Sequence, residues 1–306
     1  MGTVEPPNDT AFRRDADRSR RGGRGRRRSG SRRTFSSTLT TLDALSMSGA
    51  RVSLRVVDLD SGTVVLTGDE HVTLPVEGLG VVPLLVEVAA RFEAGTLDPH
   101  QRVAKELLDP VTAGGLWRRM AVSRLELGDL AVIAAATGDA LAANALIERV
   151  GLDAVRGRLE SLGLRRTALL DRFRDVRGPD DAPQVALSSA GELAALFSAL
   201  VNSRAVSPTV SSQVAEWLSL NQDLSLVASA TGLDPFAHDD DPRGLLFLNK
   251  TGRGDGIRAE AGVLAGPRAG VAYALLVGFD DLSVAHRLRA HEAFRVFGVD
   301  LMEFVH

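Results

Sequence analysis

Lys250 is the residue whose type argues most directly for chemistry. The chain contains 34 arginines and only two lysines, so nearly all of its basic side chains are planar guanidinium groups. A lysine ammonium is instead a compact charge with three donors, and a site that requires this geometry does not accept arginine in its place. Thr251 and Gly252 follow directly, in the run NKTG. The alternative is that Lys250 persists by chance at an exposed strand end.

The elements that must position Lys250 are strands at both ends of the chain and helices between them. ARVSLRVVDLD and TVVLTG predict a hairpin that turns at residues 60–62. GLLFLNKTG, IRAEAGVLAG and GVAYALLVGFD predict three further strands. Apolar residues at helical spacing predict a helix from Pro83 to about Ala94 that ends at Gly95, and another capped by Ser207 with Pro208 at its first position.

This order predicts an α/β (α+β) fold in one domain over residues 35–306. A mixed antiparallel five-stranded sheet is flanked by terminal helices, TFSSTLTTLDALSM and LSVAHRLRAHEAFRVFGV, and an all-helical lobe is inserted. We assign residues 35–77 and 206–306 to the α/β lobe and residues 78–205 to the helical lobe. The two lobes are expected to meet in a cleft.

The element order and four local stretches resemble the class A β-lactamase and penicillin-binding serine hydrolase family, whose signature is S-x-x-K, S-D-N and K-T-G. RVVDLDSGTVV is similar to the first hairpin of that family, and LLVEVAARFEAGTLD to the helix that carries its nucleophile. ANALIERVGLDAV is similar to the segment after S-D-N, and NKTGRGDGIRAEAGVL to the K-T-G strand and its neighbour. The resemblance covers about residues 35–300 and implies a β-lactamase-like fold.

Two of the three signature motifs are degenerate in this chain. The resemblance places Gly78 at the serine position and Val81 at the lysine position of S-x-x-K, so the nucleophile and its base are both absent. Gly138, Asp139 and Ala140 align with S-D-N, of which only the aspartate is kept. The third motif is intact as Lys250, Thr251 and Gly252.

Pro83 changes the expected start of the nucleophile helix. In a helix that begins near Gly78, this proline would lie in the second turn, where it lacks an N–H and clashes with the preceding carbonyl. We therefore predict that Pro83 takes a first-turn position and that Gly78, Leu79 and Gly80 form a loop.

The resemblance also implies roles for residues around the cleft. Arg174 aligns best with the loop glutamate that activates the deacylating water in family β-lactamases, and Asp175 is its counterpart if the register shifts by one. The K-T-G edge with Arg258 is expected to bind a carboxylate. Trp117 matches an aromatic at the cleft entrance, with core packing as the alternative. Asp139 belongs to the candidate site, with a structural hydrogen bond in the loop between helices as its expected contribution.

The N-terminal segment differs sharply in charge from the rest of the chain. Residues 13–33 contain eleven of the 36 basic residues, and residues 34–306 carry a formal net charge of −10. An arginine-rich tract with glycine and serine, whose single apolar residue is Ala16, has no core to bury, so residues 1–34 are predicted to be a disordered tail. The tail is a candidate for weak contact with nucleic acid or an anionic surface. No export signal and no transmembrane segment is visible, which predicts a cytoplasmic protein.

Three functions remain open from the sequence. The first is a catalytically degenerate member of the family that binds a small carboxylate-bearing ligand or a protein without being acylated. The second is a weak hydrolase that uses a displaced nucleophile, Ser123 or Thr251, with Lys250 as base. The third is a protein tethered through its arginine-rich tail. No cofactor is expected, and no metal site, because the histidines lack ligand spacing and the chain has no cysteine.

Overall fold

The computed structural model describes residues 35–112, 115–238 and 244–306. The predicted tail, residues 1–34, lies outside the described residues.

Eight α-helices and ten strands occur in these ranges. The helices are α1 Ser36–Met47, α2 Val81–Glu93, α3 Leu127–Thr137, α4 Ala140–Val150, α5 Leu152–Ser161, α6 Ala190–Val201, α7 Pro208–Ser219 and α8 Val284–Val305. The strands are β1 Arg51–Asp58, β2 Val64–Gly68, β3 Leu74–Pro75, β4 Arg102–Ala104, β5 Arg124–Glu126, β6 Ala168–Leu169, β7 Ala186–Ser188, β8 Leu246–Gly254, β9 Ile257–Ala265 and β10 Gly270–Gly278. Short 3₁₀ turns cover Glu77–Gly80, Lys105–Leu107, Trp117–Arg119 and Val227–Ala230.

The main sheet has five strands in the order β2-β1-β10-β9-β8, and each neighbouring pair is antiparallel. The strands come from both ends of the chain, as the sequence predicted. The β8–β9 register places Lys250 opposite Ala261 and Thr251 opposite Glu260. The α/β fold with its antiparallel five-stranded sheet is therefore confirmed.

The alternation of side chains along the strands divides the interior into two cores. Tyr273 and Leu275 of β10 pack toward the terminal helices, where Tyr273 meets Phe297 edge to face at a ring separation of 5.9 Å. Ala272 and Ala274 of the same strand face the helical elements instead. The two faces of this sheet thus pack against different apolar clusters, and the edge strand β8 lies between the clusters.

The helical block surrounds α2, which is almost entirely buried. Helices α3, α4, α5 and α7 pack against it, whereas α6 packs directly on β1, β9 and β10. Ser207 caps α7 by accepting a hydrogen bond from the Val210 N–H, and Pro208 is the first residue of that helix, as predicted. The start of α2, which borders the sheet, is therefore held from several sides.

The predicted loop over Gly78, Leu79 and Gly80 is wrong. These residues form a 3₁₀ turn, Glu77–Gly80, that runs directly into α2 at Val81. Pro83 does take a first-turn position of the α-helix, where a missing N–H is tolerated. A tighter 3₁₀ turn commonly precedes an α-helix, and here Leu79 is fully buried beneath it, so apolar packing orders a segment that was expected to be irregular.

Within the described ranges, no helix combines the length and the apolar character needed to cross a bilayer.

Candidate functional site

A cleft of about 970 Å³ lies between the 3₁₀ turn at residues 77–80, strand β8 and loops of the helical block. Four of the five positions that were predicted to be degenerate line its wall: Gly78, Gly138, Ala140 and Arg174. Lys250 and Thr251 line the same wall from β8. The structure therefore brings residues from all three predicted motifs to a single cavity.

The backbone of β8 fills the space beside Gly78. A Cβ atom added to Gly78 would lie 2.8 Å from the carbonyl oxygen of Thr251. A Cβ added to Gly252 would lie only 1.9 Å from the carbonyl oxygen of Val76. The 3₁₀ turn and β8 therefore approach each other backbone to backbone, which only glycine permits.

Val81, which the resemblance aligns with the family's lysine, is an apolar residue of the core. Its exposed fraction is 2%, and it belongs to the apolar cluster that surrounds α2. The side chain therefore supplies no base to the cleft.

Lys250 is buried rather than exposed at a strand end. Its exposed fraction is 3%, and its ammonium donates to the Ala135 carbonyl at 2.6 Å and to Asn221 Oδ1 at 3.2 Å. A Cβ added to Gly138 would lie 3.7 Å from this nitrogen. Burial lowers the pKa of Lys250 to about 8, and the Asp223 carboxylate works in the opposite direction. Two of the three ammonium protons are used, so one is left for a group in the cleft.

A chain of buried amides runs from Lys250 into the sheet. Asn221 Nδ2 donates to Asn249 Oδ1 at 2.7 Å, and Asn249 Nδ2 donates to Glu260 Oε1 at 2.8 Å. Both asparagines and Glu260 have an exposed fraction of 0%. The amide orientations therefore follow from their partners, and Lys250 and Glu260 are linked by hydrogen bonds alone.

Glu260 receives three donors inside the protein. Besides Asn249, the Tyr273 hydroxyl donates to Oε1 at 2.7 Å and the Val227 N–H donates to Oε2 at 2.7 Å. Burial raises the pKa of Glu260 to about 7, although these hydrogen bonds lower it. The carboxyl is thus held close to its protonation midpoint at neutral pH.

Asp223 links the hydroxyl of Thr251 to a surface arginine. Thr251 Oγ1 donates to Asp223 Oδ2 at 2.5 Å, and Arg253 donates to Asp223 Oδ1 at 2.8 Å. Burial opposes ionisation, but hydrogen bonds from Ser225, Thr251 and Arg253 keep the pKa of Asp223 below its usual range. The Thr251 hydroxyl is therefore committed to a carboxylate and donates nothing to the cleft.

The loop after β6 also lines the cleft. Arg174 is exposed and pairs with Asp171 at 3.1 Å and Asp181 at 3.3 Å. The Asp175 carboxylate accepts the Thr112 N–H at 2.7 and 2.9 Å. Both residues line the cleft, so the two candidates for the position of the family glutamate are a paired guanidinium and a carboxylate that accepts a backbone N–H.

Four predicted ligand residues, Gly252, Trp117, Asp139 and Arg258, are not among the described residues that line the cleft. Trp117 is fully buried in the core, which is the alternative that the sequence left open. Asp139 caps α4 through the Ala142 N–H and accepts the N–H groups of residues 116 and 117 at 2.7 and 2.8 Å. Arg258 lies beside the Gly254 carbonyl and His291. Of these residues, Asp139 thus holds the loop that carries Trp117, as a structural hydrogen-bonding residue would.

Sequence reasoning missed several charged and amide residues of the site. One of them carried a signal: Glu260 alternates with apolar positions in IRAEAGVLAG, on the same face of β9 as the buried Leu264. The others gave none: some are close neighbours of Lys250 in the sequence, and the rest come from distant segments of the chain. They are Glu77, Arg177, Asn221, Asp223, Asn249, Arg253 and Asp255.

The cleft is lined by charges of both signs. Its described lining contains four basic side chains and four acidic ones: Arg174, Arg177, Lys250 and Arg253, and Glu77, Asp175, Asp223 and Asp255. No group of three or more histidine, cysteine or carboxylate side chains in the described part of the chain is arranged to hold a metal ion. The geometry suits an organic ligand with polar ends better than a metal centre.

The antiparallel sheet, the inserted helices and the cleft between them define a β-lactamase-like protein. The chain belongs to the β-lactamase enzyme family, because the model of that family matches residues 34–305. No curated protein matches the chain.

Solved structures of similar fold include β-lactamases and a penicillin-binding protein. A β-lactamase from Sphaerobacter thermophilus is 20% identical, with a TM-score of 0.76 over 89% of this chain and 97% of that one. PBP-A is 18% identical, with a TM-score of 0.72 over 88% of this chain and 95% of that one. A class A β-lactamase from Mycobacterium abscessus is 18% identical, with a TM-score of 0.69 over 87% and 99% of the two chains. Identities this low establish the fold, while the activity must be argued from the site.

Proposed function

We propose that this protein binds a small carboxylate-bearing ligand in its cleft and is not acylated by it. The observation that carries this proposal is the contact at Gly78. An added Cβ there would lie 2.8 Å from the Thr251 carbonyl oxygen, so no side chain fits where the family places its serine. A point mutant of PBP-A has been solved as an acyl-enzyme complex with penicillin G. This chain offers no hydroxyl at the corresponding position.

The retained ammonium supports binding of an anion. Lys250 is buried at the cleft wall with one donor to spare, and burial opposes its charge. A carboxylate beside Lys250 would stabilise the ammonium form and would accept a hydrogen bond from its third proton. Arg174, Arg177 and Arg253 add positive charge along the same cleft.

The hydrolase alternative has weaker support. The Thr251 hydroxyl donates to Asp223, and the Lys250 ammonium donates to Ala135 and Asn221 rather than to Thr251. Ser123 is not among the described residues that line the cleft. A displaced nucleophile would also need an oxyanion site of matched geometry.

Incubation with a penicillin or a cephalosporin is expected to leave the intact mass of the protein unchanged. The reason is the absence of both a nucleophile at Gly78 and a base at Val81. Intact-mass spectrometry of the full chain measures this directly. A stable increase by one acyl group would contradict the proposal, and Thr251→Val and Ser123→Ala would then identify the nucleophile.

Binding of benzylpenicillin or acetate is expected to raise the pKa of Lys250 above about 8, because a neighbouring anion favours the ammonium form. The chain has two lysines, so isotope-labelled lysine gives two side-chain NMR signals. Lys250→Met is expected to remove one signal and to weaken binding by about tenfold or more, the value of a charge-assisted hydrogen bond.

Lys105→Met is the matched control for that measurement. Lys105 donates to the backbone carbonyls of Trp117 and Met120 and is not among the cleft-lining residues. The variant identifies the Lys250 signal and is expected to bind like wild type. If neither probe moves the Lys250 signal at millimolar concentration, the cleft does not bind carboxylates at this end.

A further inference from the structure

The side chain of Glu77 is held against β8 at the far end of the cleft from Lys250. Glu77 directly precedes Gly78 in the 3₁₀ turn, and its backbone has a φ of +47°, a left-handed conformation that is uncommon outside glycine. A Cβ added to Gly254 would lie 2.9 Å from Glu77 Cγ, 3.1 Å from Cδ and 3.3 Å from Oε1. The carboxyl therefore rests on the glycine at the end of β8.

This carboxyl has no hydrogen bond or ion pair with any described residue, although it is half-buried and lines the cleft. Burial raises the pKa of Glu77, and Asp255 adds to the effect while Arg177 opposes it. A partly desolvated carboxylate without a partner destabilises a fold. Such a group in a cleft, on a strained backbone, is typical of a functional site.

We propose that Glu77, supported by Asp255, binds the protonated amine of a zwitterionic ligand whose carboxylate lies at Lys250. This inference rests on the proposed function, since it assumes that the carboxylate end is bound. An ammonium group supplies the donors that Glu77 lacks and offsets the repulsion between Glu77 and Asp255. The described residues contain no metal-ligating group of three, which favours an organic cation over a metal ion.

The spacing of the two ends limits the ligand. Gly254, on which Glu77 rests, lies three residues after Thr251 and four after Lys250 on one strand. A strand rises about 3.3 Å per residue, so the subsites are about 10–13 Å apart. The ligand class is therefore an extended amino carboxylate with its charges at opposite ends.

A series of ω-amino acids from aminobutyrate to aminooctanoate, with octanoate and octylamine, tests this arrangement. Affinity is measured by calorimetry on the full chain. We expect affinity to rise with length, and aminooctanoate to bind about tenfold more tightly than octanoate. Glu77→Gln is expected to abolish that tenfold advantage while leaving octanoate binding unchanged. Glu303→Gln, at an exposed residue of α8, is the matched control and is expected to keep the advantage.

This experiment tests the proposed carboxylate subsite and the proposed amine subsite separately. If octanoate binds but the amino group adds nothing, the amine subsite is wrong and the proposed function stands. If Glu77→Gln weakens octanoate and aminooctanoate equally, Glu77 is structural and the inference is overturned. Octylamine provides a readout without any carboxylate: NMR titration of the labelled Glu77 carboxyl should show a lower pKa when octylamine binds, and an unchanged pKa overturns the inference.

Discussion

Replacement of Gly252 by alanine is expected to destabilise the protein by about 3 kcal/mol or more, as for severe overpacking of a rigid interior. The new Cβ would lie 1.9 Å from the Val76 carbonyl oxygen and 2.9 Å from the Val76 carbonyl carbon. Both neighbours are backbone atoms, so no side-chain rotation relieves the clash, and the 3₁₀ turn must move away from β8. The free energy of unfolding, measured by urea titration, reports the effect.

Gly157→Ala is the matched control for this substitution. Gly157 lies within α5, and an added Cβ there meets no atom within 4 Å. Alanine in an exposed helix interior is expected to stabilise by about 0.5–1 kcal/mol. A Gly252→Ala variant that unfolds within about 1 kcal/mol of wild type would show that the turn and β8 separate easily, and the argument that no side chain fits at Gly78 would lose its basis.

The contact between the turn and β8 connects Gly78 to the strand that carries Lys250. Gly78 and Gly252 each face a backbone carbonyl across the same interface, Gly78 that of Thr251 and Gly252 that of Val76. A serine at residue 78 would need β8 to shift, and β8 also carries Lys250 with its buried hydrogen bonds. Gly78 and the buried Lys250 thus belong to one packed unit.

Local sequence patterns predicted most of the fold. Alternation in ARVSLRVVDLD predicts Val52, Leu54 and Val56 on one face of β1, and in the cluster with the terminal helices Leu54 and Val56 are buried and Val52 is partly buried. The Ser207 cap and Pro208 start of α7 follow from side-chain chemistry within a few residues. Such signals are readable because the interactions that fix them are close in the sequence.

The site was less predictable because its contacts join distant segments. Asn221, Asn249 and Glu260 are ordinary polar residues until the fold stacks them into one hydrogen-bonded chain. The 3₁₀ turn was predicted as a loop because Pro83 argued for a later helix start, and the burial of Leu79 was not visible in the sequence. At that position, the packing of buried apolar side chains outweighed the local preference of the backbone.

Stability is expected to fall as pH rises from about 4.5 to about 7 because of Glu260, whose pKa is raised from 4.5 to about 7 by burial. The folded protein then binds more protons than the unfolded chain in this window, so deprotonation favours unfolding. Relative to Glu260→Gln, which cannot ionise, wild type should lose on the order of 3 kcal/mol across the window. Urea unfolding of both proteins at several pH values measures this difference.

At higher pH, Lys250 changes the stability of the fold in the opposite direction, so the effects of Lys250 and Glu260 fall in different pH ranges. The pKa of Lys250 is lowered from 10.5 to about 8, so the unfolded chain binds more protons between these pH values and the stability of the fold rises with pH there.

Tyr273→Phe provides a second variant for the test of Glu260, because it removes a donor that lowers the pKa of Glu260. In this variant, the pH range over which the free energy of unfolding falls should then extend to higher pH. If Glu260→Gln shows the same pH dependence as wild type below about pH 7, other groups titrate there and the buried carboxyl is not the origin.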